Sequence, residues 1–154
     1  PDLAMARRYS EIIHYTGSQT GNSGHYYIDL DGKTFEYAPI ERIAHHVINQ
    51  NLDSIGIELV NQGRFPDWLH SEKQEMVTPY PEQQVASLIQ LINELQNRIP
   101  TMQYIVGHED LDQTFIAASD NSQRQVRRKQ DPGPMFPWDK VSVNCHLKLM
   151  AHIH

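Results

Sequence analysis

Between Pro81 and Arg98 the chain carries one uninterrupted helical stripe. Val85, Leu88, Ile89, Ile92 and Leu95 recur at three- and four-residue steps, and Pro81 suits the first turn. A helix of about five turns with one apolar face has to be covered by other elements. The remaining apolar segments are short and β-rich. Glu11–Thr16 (EIIHYT) reads as a buried strand, followed by a Gly/Ser/Asn loop, Thr16–Gly24. Tyr26–Asp29 and Lys33–Tyr37 flank Leu30-Asp31-Gly32 as a hairpin with an Asp-Gly turn. Along Ser54–Val60, Ile55, Ile57 and Leu59 point one way and Ser54, Gly56 and Glu58 the other. Tyr104–Val106 reads as another buried strand, and Trp138–Met150 as a closing helix. This pattern predicts an α/β (α+β-like) fold in a single domain over residues 1–154, with no internal repeat.

Bulk properties narrow the function classes. A chain of 154 residues with 39% hydrophobic and 21% charged residues can bury a core. The formal charge of −6, before counting nine histidines, argues against general nucleic-acid binding. No apolar run approaches the roughly 18 residues of a membrane-spanning helix. Cys145 is the single cysteine, so no internal disulfide is available and the redox compartment stays open. The sequence is equally silent on export.

The chemistry gathers late in the chain. Gly107-His108-Glu109-Asp110 follows a strand-like segment, and Arg127–Pro134 (RRKQDPGP) follows an irregular polar stretch. Two imidazoles, His14 and His108, and one carboxylate, Asp131, make a three-ligand set that leaves a zinc ion one open position. Each piece has a plainer reading. His14 serves equally well as a hydrogen-bonded core residue. Asp131-Pro132-Gly133-Pro134 serves as a rigid turn. For Arg127 and Arg128 a solvated basic run is preferred. Lys129 and Asp131 are two apart, so in extended chain they aim the same way. Glu58 sits opposite an apolar strand face, as a salt-bridged or exposed carboxylate or as a general base. Lys129 suits an oxyanion-stabilising cation. Asp110 and Asp112 also lie near His108, but Asp131 is preferred as the ligand because Lys129 accompanies it. There is no His-Glu-x-x-His helix, no Cys-x-x-Cys pair and no phosphate-binding loop.

Taken in order, these segments resemble a known family. Ile12–Thr16, Ser23–Ile28, Asp31-Gly32, Ala44-His45-His46, Asn51–Glu58, Val106–Asp110 and Arg128–Pro134 are similar to the zinc-dependent N-acetylmuramoyl-L-alanine amidases, the type-2 amidases related to peptidoglycan recognition proteins. Tyr80-Pro81-Glu82-Gln83-Gln84 and Met135-Phe136-Pro137-Trp138 resemble the AmiD branch of envelope amidases more than the cytoplasmic AmpD branch. The resemblance implies a central mixed β-sheet flanked by helices, with Zn2+ at the floor of a substrate groove. It implies zinc ligands His14, His108 and Asp131, a catalytic pair Glu58 and Lys129, and substrate contacts from His46 and Asn51. Asn51 serves alternatively to fix its loop, and His25 is structural or functional. The implied partner is peptidoglycan or its muropeptides, cleaved between N-acetylmuramic acid and L-alanine by a monomeric enzyme. The implied place is the bacterial envelope, periplasmic, with cytoplasmic recycling or secretion as alternatives. A non-catalytic peptidoglycan-binding module and a zinc peptidase acting within the stem peptide are the competing functions.

Four departures from the family pattern stand out. Leu111–Arg127 is a longer polar segment than usual and reads as a surface excursion. His45 replaces a common tryptophan. The piece between His46 and Asn51 is short. Gly24 stands where some relatives carry tyrosine, which puts the catalytic weight on Glu58.

Overall fold

A three-residue loop closes the first hairpin. In the computed structural model, which describes residues 24–150, strand β1 (Tyr26–Ile28) pairs antiparallel with β2 (Thr34–Glu36). Asp29 N–H donates to the Lys33 carbonyl, and Gly32 N–H donates back to Asp29. Gly32 takes φ +84°, the left-handed residue that such loops require. A Cβ there would come within 2.8 Å of the Gln83 carbonyl and the Ser87 hydroxyl, so glycine also permits close packing on the helix. The Asp-Gly signal therefore marks a real turn, one residue longer than the dipeptide alone.

Strand β3 (Ile57–Leu59) joins β1 in parallel, giving a mixed sheet of order β2-β1-β3. β1, in the middle, is fully buried. Tyr27 and Val60 form its packed centre with Phe35 and Tyr37 against them. Helix α1 (Glu82–Arg98) runs where the stripe predicts it. Its first half is fastened by a residue that periodicity does not reveal. Gln84 is completely buried, and its Nε2 donates to the carbonyls of both Ile28 and Val60. These are strand-end carbonyls of β1 and of the β3 segment; Ile28 O also accepts from the Val60 amide at 3.0 Å, so Gln84 adds a second bond there and ties both strand ends to the helix.

The described residues fall into two compact units, one running to Asn61 with Pro81–Leu88, the other comprising Gln62–Tyr80 and Ile89 onward. In the second, β4 (Tyr104–Ile105) is followed by a single helical turn, α2 (His108–Leu111). The antiparallel pair β5 (Phe115–Ala117) and β6 (Gln125–Arg127) comes next, then α3 (Trp138–Asn144) and β7 (Lys148–Leu149).

Three expectations change here. Tyr104–Val106 is not a buried strand: Tyr104 is 51% exposed and the strand is two residues long, paired with β7. The closing helix stops at Asn144, where Asn144 Nδ2 caps the Lys140 carbonyl and Cys145 turns extended. The chain then alternates, burying Leu147 and pairing β7 in parallel with β4. Leu111–Arg127 is not a mere excursion either, because Val126 and Ala118 of its hairpin are buried. The expected strand Glu11–Thr16 and most of the Thr16–Gly24 loop lie outside the described residues. No helix among the described residues is long and apolar enough to cross a membrane.

Candidate metal centre

Gly107 brings two chain segments together. A Cβ at this buried position would sit 3.0 Å from the Pro132 ring and 3.3 Å from Trp138. With hydrogen there instead, α2 begins directly beside the 131–133 turn. Glu109 N–H donates to the Asp131 carbonyl at 2.9 Å, and Gly133 N–H donates to the Glu109 carboxylate at 3.2 Å. His108 Nδ1 then lies 2.9 Å from Asp131 Oδ2. The other ring nitrogen, Nε2, is buried with no hydrogen-bond partner among the described residues.

Electrostatics keep Asp131 ionised. Burial opposes its charge, but the His108 hydrogen bond and the Lys129 ammonium outweigh burial and hold the carboxyl well below the usual range. Tyr80 donates its hydroxyl to the Pro132 carbonyl at 2.9 Å. Burial, with the Asp131 and Glu109 carboxylates, pushes that phenol far up, so it remains a donor. Its ring stacks edge-on against Phe136, which does the same against Trp138. The Met135–Trp138 motif thus supplies an aromatic wall behind the turn.

Arg127 and Arg128 are not a solvated run. Arg127 donates to the carbonyls of Glu109 and Asp112, and its guanidinium lies 5.7 Å from the Phe115 ring centre. Arg128 pairs with Asp112, whose side chain is buried and also accepts from the Thr114 amide and hydroxyl. Burial alone would raise the Asp112 carboxyl, but Thr114 and Arg128 together pull it below its ordinary value. Asp112 is thereby committed to structure. Asp112→Ala leaves Arg128 without its partner and should cost on the order of 2 kcal/mol, read by urea unfolding. A depressed carboxyl contributes stability above its unfolded value of about 3.9 and loses it as pH falls through the lower folded value. The gap between wild type and variant should therefore hold from pH 7 to about 4 and close below that. An unchanged midpoint at pH 7 would contradict the assignment.

In the first unit, Glu58 occupies the middle of β3, in register with Tyr27, and is partly buried. Gly24 lies against it: a Cβ at Gly24 would be 3.0 Å from Glu58 Cγ and 2.9 Å from the Gly56 carbonyl. A tyrosine at that place would need the strand to shift, which fits glycine as the residue here. His25 is buried, accepting from Gly56 N–H on Nδ1 and donating from Nε2 to the Arg42 carbonyl. Both nitrogens are used, so His25 ties the start of the central strand β1 to Gly56 and to the Arg42 carbonyl. His46 stands beside Gly56, with Nδ1 3.0 Å from the Ala44 carbonyl and Nε2 2.9 Å from the Ser54 hydroxyl. Asn51 Oδ1 accepts from the His46 and Val47 amides, which fixes the 46–51 loop.

The donors that meet are therefore His108 and Asp131, with Lys129 close enough to act on the carboxylate. His14 lies outside the described residues. Among the described residues no three His, Cys, Asp or Glu side chains cluster tightly enough to hold a metal. The His108 Nδ1 nitrogen and the Asp131 carboxylate oxygen, side by side, are a donor pair of the chemistry that suits a zinc ion completed by a further ligand; Nε2 points away from the pair.

Fold and donor pair together define an α+β protein in which an imidazole and a carboxylate meet at the start of α2. Residues 3–134 match the family described as N-acetylmuramoyl-L-alanine amidase, and the chain belongs to that family. It is 26% identical to the N-acetylmuramoyl-L-alanine amidase AmiD of Escherichia coli (strain K12) over 157 residues, covering 85% of this chain. The chain spans about half, 51%, of that relative's length. Its fold is similar to E. coli AmiD in complex with anhydro-N-acetylmuramic acid-L-Ala-D-gamma-Glu-L-Lys, with TM-score 0.66, 23% identity, and 94% and 53% of the two chains covered. It is also similar to AmpDh3 of Pseudomonas aeruginosa in complex with anhydromuramic pentapeptide, with TM-score 0.65, 25% identity, and 94% and 55% covered. The α+β class read from the sequence is the class of these structures.

Proposed function

We propose that this chain is a zinc-dependent hydrolase of the amide bond between N-acetylmuramic acid and L-alanine in peptidoglycan or its fragments. The observation that carries the reading is the His108–Asp131 pair, with Nδ1 and Oδ2 2.9 Å apart. Family membership and the muramyl peptides bound by AmiD and AmpDh3 support the substrate class. In this reading His14, His108 and Asp131 hold the metal within one amidase domain. When bound, zinc supplies Lewis acidity and brings the pKa of water to about 7.

The chain's own residues do the rest. Glu58 takes a proton from the attacking water and returns it to the departing L-alanine amine. Lys129 places a fixed cation beside the oxyanion as the carbonyl becomes tetrahedral. His46 and Asn51 act on substrate through the loop they shape. The envelope is the proposed location, supported by the AmiD-branch motifs at residues 80–84 and 135–138.

Digestion of defined muropeptides, followed by mass analysis with and without a zinc chelator, tests this. Free stem peptide and peptide-free glycan are expected, and both should vanish with chelator and return with added zinc. Cuts between amino acids would reject the amidase in favour of a peptidase. Binding without products would reject catalysis.

A further inference from the structure

The turn that carries Asp131 is held from behind by residues 64–80, of which only Tyr80 belongs to a motif. Arg64 Nη1 donates to the Arg127 carbonyl at 2.8 Å and to Gln74 Oε1 at 2.6 Å. Its Nη2 donates to the Arg128 carbonyl at 3.1 Å. One planar guanidinium thus fixes two successive carbonyls immediately before Lys129, which a single ammonium cannot do. Gln74 is itself fixed, its Nε2 donating to the Trp68 and His70 carbonyls. At the far end of the same segment, Tyr80 grips the Pro132 carbonyl. Between these grips lie Lys129, Gln130 and Asp131.

The segment has its own anchorage. Ser71 N–H and hydroxyl both donate to Asp120, and Ser119 N–H donates to the Leu69 carbonyl. Arg124 reaches Glu72 and the Ser71 hydroxyl. The β5–β6 insertion therefore braces residues 69–72. Through Gln74 and Arg64 that brace reaches the 127–128 backbone.

We infer that Arg64 is a positioning residue for the metal centre, with Tyr80 as its counterpart: together they set the backbone so that Asp131 meets His108 and Lys129 faces the same corner. This rests on the zinc reading above. Outer partners that orient a ligand typically change metal affinity by about tenfold to a hundredfold.

The test is zinc affinity of the folded chain, by competition with a chromophoric chelator. Cobalt-substituted protein reports ligand geometry through its visible spectrum. Arg64→Met should weaken zinc by about tenfold or more and shift the cobalt bands. Arg64→Lys, able to satisfy one carbonyl at a time, should recover part of that loss. Tyr80→Phe, which removes only the hydroxyl, should weaken zinc in the same direction and decides the matter if Arg64→Met fails to fold. Wild-type affinity and an unaltered cobalt spectrum in Arg64→Lys and Tyr80→Phe would overturn the inference, even if both variants melt earlier. His108→Ala separates the two levels. If wild type binds no zinc, or His108→Ala binds as well as wild type, the metal reading itself has failed.

Discussion

Glu58→Ala should keep its zinc and lose almost all turnover. A positioned general base contributes about 10²–10⁴ in rate, and that is the fall expected in kcat. The position explains the specificity of the loss. Glu58 is in register with Tyr27 in a sheet whose central strand is fully buried, so the strand fixes the carboxylate's place. Gly24 lies against its side chain, where a Cβ would come within 3.0 Å of Glu58 Cγ. Glu58→Gln, which keeps the shape, should be as slow as Glu58→Ala and should lose the acidic limb of the kcat/KM profile. Lys129→Met should also be slow, through kcat, yet retain that limb, because a cation that stabilises an oxyanion does not accept the water's proton. An undiminished kcat in Glu58→Ala would remove the residue from the mechanism.

The second large effect is loss of the metal. Asp131→Ala removes the carboxylate that faces His108 and leaves both nitrogens of that imidazole without a protein partner among the described residues. Zinc should fall below stoichiometry on dialysis, by more than the hundredfold that an outer partner accounts for, and hydrolysis should fall with it. Asp112→Ala is the contrast. Asp112 is bonded to Thr114 and Arg128, so its variant should keep zinc and lose stability instead. Full zinc occupancy in Asp131→Ala would reject the ligand assignment.

Elements with a strong local period were legible in the sequence. The α1 stripe and the Asp-Gly hairpin both stand where the pattern puts them, since each is dictated by residues within one element. What escaped depends on partners far along the chain. Nothing local says that Arg127 and Arg128 face Asp112 and the α2 carbonyls rather than water. Nothing local says that Trp138–Met150 divides into helix and strand, because β7 is selected by pairing with β4. Gln84 is invisible to an apolar stripe because its role is to tie two strand-end carbonyls to the helix. Of the site, His108 and Asp131 were named from chemistry and motif, and the structure brings them within 2.9 Å. Arg64 was not, because an arginine after a glycine in a polar segment carries no signal until the chain returns to it 63 residues later. Tyr80 was read as part of a motif, but its grip on Pro132 was not.

Diffraction from crystals grown with zinc, recorded on both sides of the zinc absorption edge, probes the shared foundation of these claims. One anomalous peak is expected, touching the imidazoles of His14 and His108 and the carboxylate of Asp131. No peak at that corner, or those three side chains turned away from one another around an ion held elsewhere, would contradict it.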